Sequence, residues 1–184
     1  DEKPQSADSI YGKILRLNLT NNEFEIFSKG HRNILGLYSD GNVILSTENG
    51  PRGGDEINKI INGENYGWPE VSYGQKYKGY EYYPSSHSEL GFKEPIYAFV
   101  PSVGISQIAK VEDNFSIKWK DNFLIASLNG NHIYRVKFDQ NYEKILFKEN
   151  IFIGERMRDL VYFKEKNVFL LALENSGSLG VLKP

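Results

Sequence analysis

Apolar and polar residues alternate along most of this chain with a period of two, the spacing that puts successive side chains on opposite faces of a strand. Gly12–Leu19 alternates, with Ile14 and Arg16 on one face and Leu15 and Leu17 on the other. Thr20-Asn21-Asn22 then turns the chain into a second alternating run, Glu23–Phe27, which predicts a hairpin. Ile34–Tyr38 and Val43–Thr47 flank an Asp40-Gly41 turn and predict another. After the Gly- and Pro-rich stretch Glu48–Gly54, Asp55–Ile61 and Pro95–Val100 read as strands. The rhythm continues in Ile105–Val111, Phe123–Leu128, His132–Phe138 and Lys144–Lys148, then in Leu160–Phe163, Val168–Leu173 and Leu179–Leu182. Only Asp113–Lys120 leaves room for a helical turn.

Short strands at this spacing predict an all-β sandwich, barrel or propeller. Ile105–Lys148 has the length of one propeller blade, roughly 40–45 residues for four strands. On that reading residues 1–10 are a tail or connection, and residues 11–184 form about three blades, with a long loop insertion at about 62–94. Three blades cannot close a ring. A further half is expected, upstream in a longer native chain or from a second molecule.

Composition agrees with an ordinary globular domain: 184 residues, 40% hydrophobic, 25% charged, and 14% aromatic with 12 Tyr and 11 Phe, which favours strands. A net charge of −2 with interspersed signs gives no basic stripe for nucleic acid. No apolar run approaches the roughly 18 residues of a membrane span. No signal peptide is visible, and a start at Asp1 suggests a processed or excised chain. The absence of cysteine excludes disulfides and thiolate sites and leaves the redox compartment open.

Five segments in order carry a resemblance: Tyr11–Leu19 (YGKILRLNL), Gly30–Leu37 (GHRNILGL), Ser46–Asn58 (STENGPRGGDEIN), Asn65–Pro69 (NYGWP) and Glu155–Leu160 (ERMRDL). Together they resemble the C-terminal half of the glucose/sorbosone dehydrogenases, calcium-dependent six-bladed β-propellers that use pyrroloquinoline quinone (PQQ). The resemblance implies a half-propeller belonging to a periplasmic or secreted oxidoreductase for aldoses. The family's catalytic His lies in the other half, so no catalytic residue is assigned here.

The resemblance also implies roles for particular residues. The carbonyls of Gly50 and Pro51 match those that hold the cofactor's calcium; a Gly-Pro kink can aim two carbonyls at one point. Glu56 and Tyr66 match ligands of a second, structural calcium, by carboxylate and carbonyl, although Asp55-Glu56 equally suits a surface pair opening a strand. Arg156 and Arg158, two apart on one strand face, suit a ligand with several carboxylates, the alternative being a solvated face. Arg32-Asn33 matches the cofactor and sugar pocket, and Tyr97 and Phe99 match aromatics beside the cofactor plane or serve blade packing. Asn129 stands where the family carries a cofactor-reaching Lys, and Gly104-Ile105-Ser106 replaces an Ala-Pro-Ser. Asn cannot supply the positive charge. The second reading is therefore a non-catalytic propeller that binds carbohydrate or protein. His31 has no obvious orienting carboxylate in its neighbourhood and reads as structural or surface. His87 and His132 lack metal-ligand spacing and read as ordinary.

Overall fold

The computed structural model describes residues 2–184. Its strands are β1 (Lys13–Leu17), β2 (Phe24–Lys29), β3 (Ile34–Ser39), β4 (Ile44–Glu48), β5 (Asp55–Lys59), β6 (Tyr97–Phe99), β7 (Ile105–Lys110), β8 (Asn122–Ser127), β9 (His132–Phe138), β10 (Ile145–Phe152), β11 (Met157–Phe163), β12 (Val168–Leu173) and β13 (Ser178–Leu182). They form two four-stranded antiparallel sheets, β3-β4-β5-β6 and β7-β8-β9-β10, flanked by a pair, β1-β2, and a triple, β11-β12-β13. Of the sandwich, barrel or propeller that the alternation predicts, these adjoining four-stranded sheets are the propeller. The only helical turns among the described residues are short 3-10 segments, one of them Ile117–Trp119 within the expected stretch.

Two expected strands prove longer. β10 runs on through Glu149-Asn150 to Phe152, and β11 begins at Met157 rather than Leu160. β10 is an outermost strand and mostly exposed, so polar side chains there break no burial rule and conceal it in the sequence.

The central strand β8 shows why the sheets stack. All six of its residues are buried. Phe123 and Ile125 point into one core with Val43, Leu45, Ile57 and Phe99 of the preceding sheet. Leu124 and Ala126 point into the other core with Met157, Leu160, Phe169 and Leu171 of the following one. A strand covered on both faces reads as a continuous apolar run, and burial of each large side chain contributes about 1.5–3 kcal/mol.

The inner strands β3, β7 and β11 lie side by side. A Cβ on Gly36 would come within 2.8 Å of the Ile108 nitrogen and the Ser106 carbonyl oxygen, so only glycine lets β3 approach β7 this closely. Hydroxyls stitch the neighbouring sheets together: Thr47 of β4 donates to the Ser106 carbonyl on β7, and Ser106 Oγ donates to the Met157 carbonyl on β11 at 2.7 Å.

Candidate functional site

Antiparallel strands return every second connection to the same end of the sheets. One end therefore gathers residues 30–33, 49–54, 100–104, 128–131, 153–156 and 174–177. Arg32, Asn33, Gly50, Pro51, Asn129 and Arg156 all belong to these connections, and Arg158 lies just inside β11.

The loop after β4 is organised by Asp55, fully buried at the head of β5. Its carboxylate accepts from Gly50 N at 3.1 Å, Ser102 Oγ at 2.5 Å, and the nitrogens of Val103, Gly104 and Ile105 at 2.9, 2.7 and 3.1 Å. One side chain thus fixes the Gly50-Pro51 kink to the start of the next blade. A Cβ at Gly50 would fall 2.2 Å from the Gly53 carbonyl oxygen and 2.4 Å from that of Gly54. The turn is crowded with carbonyls, and that of Pro51 meets only the distant Tyr77 hydroxyl, at 3.4 Å.

Glu48 and Glu56 face each other directly across β4 and β5, both buried. Glu48 holds the neighbouring chain segment: one oxygen accepts from Arg32 N, the other meets His31 Nδ1 at 3.0 Å. His31 Nε2 contacts Ser28 Oγ at 2.8 Å, and its ring stacks on Tyr66 at 4.6 Å. The expectation that His31 lacks a carboxylate is corrected: Glu48, seventeen positions later, lies in contact because β3 and β4 form a hairpin. Buried between Ser28 and Glu48, His31 is structural rather than a surface residue. It fixes the backbone from which Arg32 reaches out, Nη1 to the Asn49 carbonyl at 2.8 Å and Nη2 to Tyr77 Oη at 3.0 Å.

Glu56 hydrogen-bonds Asn58 Nδ2 at 3.1 Å, and His87 Nε2 lies 3.5 Å from its other oxygen, an ion-pair distance that leaves the nitrogen without a hydrogen bond. Burial pushes the Glu56 carboxyl upward, and the Glu48 charge adds to it against the downward pull of His87. Burial alone would lower His87, but the adjoining carboxylate of Glu56, with Ser85 and Glu94, holds it above its ordinary value. His87 is therefore no ordinary loop residue: the long excursion between β5 and β6 delivers it into the interior, stacked on Tyr73 at 5.2 Å.

Glu48, Glu56, Gly50 and Tyr66 line one small void of about 10 Å³, about what a single water needs. Tyr66 is anchored there by its hydroxyl, which donates to the Lys59 carbonyl at 2.5 Å. Two buried carboxylates are hard-oxygen donors of the kind calcium takes, and Glu48 already spends both of its oxygens on Arg32 N and His31. No cluster of three His, Cys, Asp or Glu side chains with metal-binding geometry occurs among the described residues, so any ion there would draw on backbone oxygens.

Arg156 and Arg158 do share a face, while Met157 between them is fully buried. Both point at Glu174, Arg158 Nε at 2.6 Å and Arg156 Nε at 3.4 Å from the same oxygen, and Arg156 Nη1 also donates to Asn129 Oδ1. The arginines pull the Glu174 carboxyl below its usual range. The sequence contains no cue for Glu174; it follows Leu173, which pairs with Met157 across the β11–β12 hairpin. Glu48, by contrast, lies inside the ENGPRGGDE motif.

Tyr97 and Phe99 are not brought to this group. Phe99 is buried in the core between the two complete blades, 5.0 Å from Tyr134, with Tyr97 against it at 4.9 Å. The Lys148 ammonium lies over all three rings at 5.5–5.6 Å. Blade packing, the alternative for this pair, is what their contacts describe.

Radial four-stranded sheets around adjoining inner strands, with arginines and a carbonyl-rich kink at one end, define a β-propeller with one polar end. The chain belongs to the glucose/sorbosone dehydrogenase family, whose profile matches residues 1–181. It is 29% identical over 199 residues to the aldose sugar dehydrogenase YliI of Escherichia coli (strain K12), covering 98% of this chain and 53% of that protein. It is 42% identical over 83 residues to quinoprotein glucose dehydrogenase B of Acinetobacter calcoaceticus, covering 39% of this chain and 17% of that protein. The crystal structure of the soluble aldose sugar dehydrogenase from Escherichia coli in its apo-form superposes with a TM-score of 0.83 at 26% identity, over 98% of this chain and 56% of that one. The chain thus spans about half the length of the Escherichia coli relatives. No helix among the described residues is long and apolar enough to cross a membrane.

Proposed function

We propose that this chain supplies the cofactor-gripping half of a PQQ- and calcium-dependent aldose dehydrogenase, periplasmic or secreted, whose remaining blades complete the ring and bring the base. The observation that carries the reading is the convergence of Arg156 and Arg158 on one carboxylate, at the end of the sheets that also presents Arg32 and the Gly50-Pro51 turn. Glu174 shows what this pair takes: a carboxylate set against guanidinium edges. It occupies the Nε edges, leaving the Nη groups of Arg158 for a carboxylated ligand.

PQQ, when bound, supplies a quinone carbonyl that accepts hydride, polarised by calcium. The chain's own residues position and neutralise. Gly50 and Pro51 would offer carbonyls to the cofactor's calcium, in a turn that Asp55 holds rigid. Glu56 and the Tyr66 carbonyl would hold the second, structural calcium. Arg32 and Asn33 stand at the sugar-facing rim, Arg32 held by Asn49 and Tyr77. Asn129 holds Arg156 in place rather than adding a charge.

Asn129, which supplies no positive charge where the family has a Lys, favours the second reading, a non-catalytic propeller that binds carbohydrate or protein. Adding calcium and PQQ to the intact protein and following dye reduction with aldoses decides between them. The enzyme reading expects a shifted quinone absorbance, a raised Tm that a calcium chelator reverses, and aldose-dependent reduction. Absence of all three would overturn the enzyme reading and favour the binding module.

A further inference from the structure

The residues that lead into β1 make contacts that the candidate site does not call for. Glu2 to Ser6 form a tight turn, the nitrogens of Gln5 and Ser6 donating to the Glu2 carbonyl at 3.0 and 3.1 Å. Pro4 is buried. Its carbonyl accepts from Gly30 N at 3.2 Å and from Lys13 Nζ at 2.9 Å, and the same ammonium meets the carbonyls of Lys3 and Tyr11 at 3.0 and 3.2 Å. A Cβ on Gly12 would fall 2.6 Å from that of Pro4. The turn is thereby fixed to the start of β1 and to the residue before His31.

What this turn holds out is Gln5. Its carboxamide and that of Asn65 form a reciprocal pair: Gln5 Nε2 donates to Asn65 Oδ1 at 3.2 Å, and Asn65 Nδ2 donates to Gln5 Oε1 at 2.7 Å. Gln5 Nε2 also donates to the Trp68 carbonyl at 2.7 Å. One amide thus grips both ends of the segment from Asn65 to Trp68. Asn65 Oδ1 closes the segment from within by accepting from Gly67 N at 3.1 Å, and Trp68 N donates to the Gly30 carbonyl at 2.9 Å. A Cβ on Gly30 would lie 2.2 Å from Asn65 Oδ1, so glycine is what leaves room for the amide pair.

The half-buried Trp68 ring carries this grip to the polar end of the sheets, where the Arg32 guanidinium lies over it at 5.4 Å. Asn49 and Tyr77 hold two edges of that guanidinium. Attraction between a cation and an exposed indole is of the order of thermal energy. It does not by itself fix a ring, so the indole serves as a seat for Arg32 only if its own backbone is fixed. Hydrogen bonds to that backbone are directional and can do so.

We propose that Gln5 is a positioning residue: its amide sets the Trp68 ring, and the ring sets Arg32. The inference rests on the reading of Arg32 as a rim residue and extends the support of that rim to the segment before β1. The test uses the intact protein labelled with fluorotryptophan, the Trp68 fluorine resonance being assigned by its loss in Trp68→Phe. Gln5→Ala and Gln5→Glu should both move that resonance, the second because a carboxylate cannot donate to the Trp68 carbonyl. With calcium and PQQ added, both should raise KM for glucose about fivefold and leave kcat unchanged. Ile125→Ala, which weakens the fold elsewhere, should leave the resonance and KM in place when measured well below its Tm. An unmoved resonance in both Gln5 variants overturns the proposal, as does a kcat that falls alongside the rise in KM. The same shifts in Ile125→Ala overturn it too, and so does a moved resonance with KM unchanged, which cuts the link from ring to Arg32. A moved resonance in a protein that oxidises no aldose and does not respond to calcium and PQQ keeps the grip of Gln5 on Trp68 and overturns the dehydrogenase. Glucose oxidation with an unmoved resonance does the reverse.

Discussion

The two complete blades share one strand order and differ in how much polar chemistry they bury. In β7–β10 the interior strands bury Phe123, Leu124, Ile125, Ala126, Ile133, Tyr134 and Val136. In β3–β6 the corresponding strands bury Leu45 and Ile57 on one face, and with them the polar Ser46, Thr47, Glu48, Asp55, Glu56 and Asn58. The apolar blade is held by surface removed from water, which is non-directional and tolerates exchange of similar volumes. The polar blade is held by directed bonds, each of which leaves an unpaired buried group when one partner goes. That blade also supplies the Gly50-Pro51 turn and the Glu48 support of Arg32. Its interior is the foundation of the ligand face, and the apolar blade is the wall against which it stands.

The sharpest test sets one residue from each blade side by side. Asp55→Ala leaves several buried backbone N–H groups without an acceptor, at about 1–3 kcal/mol each, so a loss above 4 kcal/mol is expected. Ile125→Ala, which opens a cavity, should cost about 2–5 kcal/mol. Denaturant unfolding measures both, and a milder effect for Asp55 would undo the contrast. Next in size is the ligand face. Removing charge-assisted bonds worth about 1.5–3 kcal/mol should weaken PQQ about tenfold to a hundredfold in Arg156→Met and again in Arg158→Met, read by cofactor titration. Glu174→Gln, which frees both Nε edges, should instead tighten PQQ; unchanged affinity would show that Glu174 does not compete for the pair.

A smaller loss, about 2 kcal/mol, is expected for Glu48→Ala, which strands His31 and the Arg32 nitrogen. It should also raise KM for aldoses through the displaced Arg32, while Ser28→Ala at the far side of the ring leaves KM alone. The least effect is at the opposite end of the polar blade. Hydrogen bonding from the Asn42 nitrogen, then from Val43 and Tyr38, holds the Asp40 carboxyl below its ordinary 3.8. Because its folded value is depressed, its contribution is fully present above pH 3.8 and fades as pH falls through the folded value. The Tm gap between wild type and Asp40→Asn should therefore close on acidification below that point; a gap independent of pH would remove Asp40 from the balance.

The contrast between blades also explains what could be read from the sequence. Strands with one apolar face announce themselves by alternation and β8 by its unbroken apolar run, so β1 to β5 and β7 to β9 fall within a residue or two of their expected places. The far half of β10 did not, because an edge strand has no face to hide. Motif residues such as Gly50, Arg156 and Arg158 were legible as local patterns, and the fold gathers them at one end of the sheets. Glu174, Asp55's five partners and the burial of His87 were not, since each depends on which hairpin or loop returns beside it. For Phe99 the sequence left two roles open, cofactor plane or blade packing, because ring content says nothing about which surface covers it; its contacts are those of blade packing.

At the hub, Gly36 leaves no spacer between two neighbouring backbones. A single methyl there would act as a wedge, tilting one sector of the ring against the next. Since grasping groups sit at the rim of different sectors, a small angle at the centre becomes a displacement at the periphery. The absent side chain thus serves as the alignment pin by which remote loops keep a common focus.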